Sequence, residues 1–337
     1  MGNAVMRNIE KVLDELYAKK SVENIFIRIG EREKILYDTY RGNVNETTLF
    51  DMASVTKVMA TTSLALVAMD KGLLGLDTPV EKYFSTKKPL TARHLLTHTI
   101  GIGHKSLNTI GNTYDNIAEK ILEIPQDIPI GENVLYSCPA FILLGKILEK
   151  IFERRLDEAF EEFVAKPLGL NNTSFLPTER INCVNANLEQ EKLGVVNDYN
   201  CQFLGGVAGN AGLFSNATDV TKYVQCLMGK GKPLFGERTF EQAVLNYTVD
   251  KDSSRGLGFL YVDKRYEQTG GLFQDGAIGH CGHTGQSVFV DYRSGLYVIV
   301  LSDATISTTK KYGAEHYGEV MQMRHDLHFA IKQDLKQ

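Results

Sequence analysis

Two stretches of β pattern lie near opposite ends of this chain, and they set the strongest limit on how it can fold. "NIFIRIGEREKILYDTYRG" (24–42) alternates apolar and polar residues around a charged turn, the pattern of a β-hairpin. "GQSVFVDYRSGLYVIVLSD" (285–303) places two β-rich runs around Arg293-Ser294-Gly295, a second hairpin. The region between them reads as helix. "DMASVTKVMATTSLALVAMDKGLL" (51–74) is a long apolar helix ended by Gly72, and residues 80–170 carry helical pattern broken by turns. Residues 5–20, with Ile9, Val12, Leu13 and Leu16 at helical spacing, and roughly 313–335 add a helix at each end. "LGFLYVDK" (257–264) reads as one more strand. The expected fold is α+β: the two chain ends form one antiparallel sheet flanked by helices, a mainly helical lobe lies between them in sequence, and the active site sits where the two meet. The boundaries follow as a discontinuous sheet domain, 1–75 with 205–337, and a helical lobe, 76–204.

Charge and cysteine content narrow the function. A net charge of −4 with no basic block gives nucleic acid no electrostatic footing. The amphipathic start lacks an apolar signal core, and no apolar run approaches the roughly 20 residues of a membrane span. The chain as given reads as cytoplasmic, with export after removal of a signal as the alternative. A Met-Gly start is a weak myristoylation pattern, because Met6 stands where Ser or Thr is wanted. Five cysteines without C-x-x-C read as reduced thiols rather than a disulfide framework.

The chemistry centres on S-x-x-K. It occurs as Ser54/Lys57, Ser85/Lys88 and Ser307/Lys310, and context separates the three. The last two read as solvated, lysine-rich turns. Ser54 opens the most apolar helix, where Lys57 shares its face and free N–H groups suit a developing oxyanion. Desolvation of Lys57 is expected to lower its pKa enough to relay a proton. A capping serine beside a snorkelling lysine is the plain alternative.

With that nucleophile placed, "LFDMASVTKVMATTSLALVAMDKGLLGLDTPVEKYF" closely resembles the first catalytic segment of serine β-lactamase-like hydrolases. These comprise class C β-lactamases, DD-peptidases (penicillin-binding proteins) and related esterases and amidases. "LTARHLLTHTIGIG", "VLYSCPAFILLGKILEKIFERRL", "KPLGLNNTSF" and "GGVAGNAGLFSNATDVTKY" are similar to further family segments, in the family's order, over about residues 25–305. The resemblance implies a β-lactamase/transpeptidase-like fold, Ser54 as the acylated nucleophile, Lys57 as its partner and Tyr136 as general base or relay, its phenolate favoured by the lysine. Cys138 stands where the family's tyrosine motif has asparagine, which weakens amide recognition. The third motif is placed at His280-Cys281-Gly282 rather than His283-Thr284-Gly285, because Asp291 follows His280 at the family interval (291 − 280 = 11). His280 is then a polar or cationic group near Tyr136. Cys281 replaces threonine at the substrate, Gly282 permits close backbone approach, and the His283 N–H joins that of Ser54 in the oxyanion hole.

The expected activity is that of a serine hydrolase forming an acyl-enzyme on Ser54, with β-lactam, D-amino-acid peptide, or small ester or amide substrates. No cofactor or metal is required, and oligomeric state is left open. A non-catalytic binding protein that kept the fold is the rival. A zinc hydrolase using His280, Cys281 and His283 is another, and His94 with His98 on one helix face is a weaker metal pattern. "GGVAGNAGLF" reads as a turn at the cleft rim, and Asn197 in "VVNDYN" receives no role.

Overall fold

The computed structural model describes residues 6–107, 113–178, 182–188 and 193–336. All of the myristoylation pattern but Met6, and the first residue of the expected opening helix, lie outside them. Helix α1 (Arg7–Ala18) leads into β1 (Ile25–Glu31) and β2 (Lys34–Arg41), then the short β3 (Phe50–Asp51). The apolar run follows as a tight turn at Ala53–Val55, a wide π-type turn at Lys57–Thr62, and α2 (Ser63–Asp70). Next come α3 (Ala92–Leu96), α4 (Ile117–Glu123), α5 (Cys138–Phe152), α6 (Leu156–Phe160) and α7 (Lys166–Leu168). After β4 (Ser174–Phe175) stand α8 (Tyr199–Phe203), β5 (Leu213–Ser215), α9 (Ala217–Met228) and α10 (Glu237–Ala243). The chain ends with β6 (Leu260–Tyr261), β7 (Ile278–Cys281), β8 (Ser287–Val290), β9 (Leu296–Ser302), α11 (Ala304–Tyr312) and α12 (Tyr317–Leu335).

The two hairpins close on each other. β1 pairs antiparallel with β9, Ile25 opposite Ser302 and Glu31 opposite Leu296, giving the order β2-β1-β9-β8-β7-β6. Period-2 alternation sends Ile25, Ile27 and Ile29 to one face, against Leu327 and Ile331 of α12. Phe26, Ile299 and Leu301 go to the other, against the helical region. The Asp334 carboxylate near the C-terminus accepts the Asn8 and Ile9 amides at 3.0 and 2.9 Å, which binds α12 to the first turn of α1. A second small sheet, β3-β5-β4, joins residues just before Ser54 to the middle of the chain.

Three local expectations change. "LGFLYVDK" pairs only at Leu260–Tyr261, because Gly258 takes φ +77° where its missing side chain leaves room for Thr62. The last helix starts at Tyr317, since Gly313 at φ +95° separates it from α11. Ser307 is buried in α11, 2.9 Å from the Asp303 carboxylate, rather than sitting in a solvated turn.

Candidate active site

Ser54 is delivered by a strained entry to its helix. Asp51 accepts the Ala53 amide at 2.8 Å, and Ala53 takes φ +44°, a left-handed conformation costing a non-glycine residue on the order of 1–2 kcal/mol. Burial pushes the Asp51 carboxyl up to about 6, against the Asn197 and Ala53 amides that favour its charge. Ser54 therefore lies in the first helical turn, where N–H groups have no preceding carbonyl to bond. One turn on, the Lys57 ammonium donates to Ser54 Oγ at 3.0 Å, to the Asn210 carbonyl at 3.0 Å and to Cys138 Sγ at 3.5 Å.

Tyr136 approaches from the loop before α5, its hydroxyl 2.6 Å from Ser54 Oγ. The next residues hold it there. The Ser137 amide donates to His98 Nδ1 at 3.0 Å, and Ser137 Oγ caps α5 by accepting the Ala140 amide. The His98 ring packs on Tyr136 at 4.8 Å. That use of His98 ends the helix-face metal pattern: α3 stops at Leu96 and His98 turns to φ +57°, while His94 Nδ1 accepts the Thr91 amide.

The opposite wall is the "GHCGHTG" stretch. His280 and Cys281 end β7, and Gly282 to Gln286 make the turn, with the Gly282 amide donating to the Gln286 carbonyl at 2.9 Å. The His280 ring lies 6.2 Å from that of Tyr136. Its Nδ1 is 2.7 Å from the Cys281 carbonyl, which can only accept, so Nδ1 carries the proton. Cys281 Sγ instead meets the Tyr266 hydroxyl at 3.3 Å, and the His283 ring stacks on Tyr317 at 4.9 Å. The three proposed zinc ligands thus diverge, and among the described residues no group of three or more His, Cys, Asp or Glu is placed to hold a metal ion. Thr284 turns inward, 3.1 Å from the Asp51 carbonyl. A Cβ on Gly282 would sit 2.8 Å from the Met52 carbonyl, so this glycine lets the turn approach the backbone beside Ser54. Arg324 of α12 donates to the Gly282 carbonyl from behind.

Ser54, Tyr136, Cys138, His280, Cys281 and His283 all line one cavity of about 780 Å³, with Lys57 beneath its floor and Gly282 behind its wall. The protonation picture differs from expectation. Burial pushes Lys57 down, but its acidic neighbours, Cys138 first and then Tyr136 and Asp198, outweigh it and the ammonium lies above its ordinary range. Burial also raises the Tyr136 phenol despite Lys57, so the phenolate is not favoured. Burial, then Lys57 and Arg255, hold His280 well below its ordinary value, which makes it neutral rather than cationic.

Several residues of the site escaped the sequence reading, Arg324 and Tyr266 among them. The buried Arg255 guanidinium lies 5.9 Å from the Tyr136 ring centroid, and Arg255 stands in no motif. Asp198 and His104 line the cavity. Asn210 belongs to the glycine-rich segment expected at the cleft rim, yet its carbonyl holds Lys57 from inside. Asn197 proves structural, its amide donating to Asp51 at 2.7 Å.

The family model described as Beta-lactamase matches residues 9–320. An Escherichia coli (strain K12) protein provisionally named a D-alanyl-D-alanine carboxypeptidase is 28% identical, over 76% of this chain and 69% of its own. Esterase EstB of Burkholderia gladioli is 25% identical over 88% and 89%. Among solved structures, the octameric penicillin-binding protein homologue from Pyrococcus abyssi superposes with a TM-score of 0.72 at 20% identity, covering 94% of this chain and 76% of that one. Among the described residues, no helix is long and apolar enough to cross a membrane.

Proposed function

Because the chain belongs to the β-lactamase family and is a serine hydrolase of that fold, we propose that it works through an acyl-enzyme on Ser54. The observation that carries this is the contact of Ser54 Oγ with both the Tyr136 hydroxyl at 2.6 Å and Lys57 Nζ at 3.0 Å, in the wall of the cavity. Ser54 attacks a carbonyl, and its proton passes to Lys57 as Lys57 hands one of its own to the groups behind it, with the Tyr136 hydroxyl held on the same oxygen. The Ser54 and His283 amides hold the tetrahedral oxyanion, each donor being worth roughly 10²–10³ in rate. The proton then returns to the leaving group, and water releases the acyl group by the reverse path.

Arg255 and Arg324 line the cavity, and among the described residues Asp198 is the one acidic residue that does. This surplus of positive charge supports carbonyl substrates that carry a carboxylate, as D-amino-acid peptides and β-lactams do, over neutral esters. The names of the relatives, a D-alanyl-D-alanine carboxypeptidase and an esterase, define the same panel. A fluorophosphonate and a fluorescent penicillin should label Ser54 and leave Ser54→Ala unlabelled. Nitrocefin, D-Ala-D-Ala peptides and p-nitrophenyl esters, run against the same variant, rank the substrates. Ester turnover unchanged in Ser54→Ala would overturn the mechanism.

A further inference from the structure

Lys57 is a fully buried ammonium whose side-chain partners among the described residues are Ser54 Oγ, the Asn210 carbonyl and Cys138 Sγ, none of them a carboxylate. A buried charge is retained only when something neutralises it. Two weak acids face it, the Tyr136 phenol and the Cys138 thiol. The Asp198 carboxylate adds its charge, but of the acids it is the thiol that accepts from the ammonium, at 3.5 Å, while burial holds the phenol, 2.6 Å from Ser54 Oγ, in its neutral form. Cys138 is the first residue of α5, a helix of 15 residues whose positive end favours an anion. His104, an exposed residue lining the same cavity, favours the Cys138 anion. Ser54, Lys57 and Cys138 therefore form a continuous hydrogen-bonded chain, and Cys138 and His104 both line the cavity.

We propose that Cys138 is the proton-holding partner of Lys57, a positioning residue for the Ser54 reaction; its part in turnover rests on the acyl-enzyme reading. In the resting cluster Lys57 is an ammonium and Cys138 a thiolate. As Ser54 Oγ bonds to the substrate carbon and the carbonyl π pair moves to oxygen, Lys57 passes one N–H proton to Cys138 Sγ and takes the Oγ proton in its place. On collapse the thiol proton returns through Lys57 to the leaving group, and no electron is gained or lost. The titratable groups facing Cys138 are Lys57 from the helix turn, Tyr136 from the adjoining loop, His104 from the loop after α3, and Asp198 from the start of α8. Burial and Asp198 oppose the anion and Lys57 and His104 favour it, with the balance toward the thiolate.

Thiolate absorbance in the far ultraviolet, titrated in the wild type and in Cys138→Ser, isolates this sulfur without requiring substrate or access for a reagent. The difference should step below the ordinary thiol value of about 8.5, and His104→Gln should move that step upward. A step at or above the ordinary value overturns the assignment. In turnover, Cys138→Ser should lower kcat/KM about ten-fold or more and reshape the acid limb of its pH profile, and Cys138→Asp, which restores an anion at the helix start, should recover part of both. An unchanged profile in Cys138→Ser overturns the proton-holding role. Fluorophosphonate labelling keeps the two readings apart: a low thiol step with no label on Ser54 sinks the acyl-enzyme and leaves the thiolate standing.

Discussion

The two walls of the cleft are built on opposite plans. On the helix wall each reactive group is tied to another: Ser54 to Lys57 and Tyr136, Lys57 to Asn210 and Cys138. On the strand wall buried polar atoms face the cavity with no protein partner among the described residues, namely Nε2 of His280 and Nε and Nη1 of Arg255. An unmade hydrogen bond on a buried group costs about 1–3 kcal/mol, so it persists only where the fold obtains something for it. The helix wall assembles the nucleophile before anything arrives. The strand wall keeps its hydrogen-bonding capacity for what does.

That division can be broken most directly at Ser54. Ser54→Ala should reduce kcat/KM on the order of 10⁴-fold or more while thermal unfolding stays where it was. Comparable turnover by the variant would move the chemistry to the strand wall. Tyr136→Phe is the next largest, at roughly 10²–10³-fold, because it removes a hydroxyl 2.6 Å from Ser54 and leaves the ring between His98 and Arg255. The loss should fall on kcat more than on KM; a pure KM effect would assign the phenol to binding.

Acid sensitivity probes the layer behind the strand wall. His328 of α12 is buried against Phe273 and Phe289, and burial lowers it from 6.5 to about 4. The folded state then binds fewer protons than the unfolded chain below pH 6.5. Stability should be full above that pH and fall as pH drops toward 4, by about 3 kcal/mol for this residue. Urea unfolding across the window should give a flatter acid slope for His328→Gln than for the wild type. Equal slopes would remove His328 from the account.

What could be read from the sequence was what repeats locally. The two hairpins were legible because a period of two over several residues has few other interpretations, and their mutual pairing followed from leaving no other partner for the chain ends. Ser54 and Tyr136 were found through motif resemblance, and the structure brings them into contact. Positive-φ glycines such as Gly258 and Gly313 shorten elements without any change in hydrophobic pattern, so those boundaries were misplaced. The least legible features were three-dimensional sums. Lys57 was expected to be depressed by its apolar neighbours in sequence, but Cys138, 81 positions away, sets the balance. The resemblance implies a polar or cationic His280, but burial, Lys57 and Arg255, which stands in no motif, together keep its ring neutral.

Arg255 supplies the finest test of the two plans. Its guanidinium is buried, burial lowers its pKa against the weak pull of Tyr136, Tyr266 and Cys281, and it ion-pairs with no carboxylate among the described residues. If the strand wall serves substrate binding, Arg255→Met should raise KM about ten-fold for a carboxylate-bearing peptide, which corresponds to about 1.4 kcal/mol and the lower end of a charge-assisted hydrogen bond. Its kcat should change little, because Ser54, Lys57 and Tyr136 keep their mutual bonds. A neutral p-nitrophenyl ester should be nearly indifferent to the same change. Equal losses for both substrates, falling on kcat, would mean that Arg255 acts through the Tyr136 ring it covers. The two walls would then be one electrostatic unit, not a prebuilt nucleophile facing a receptive surface.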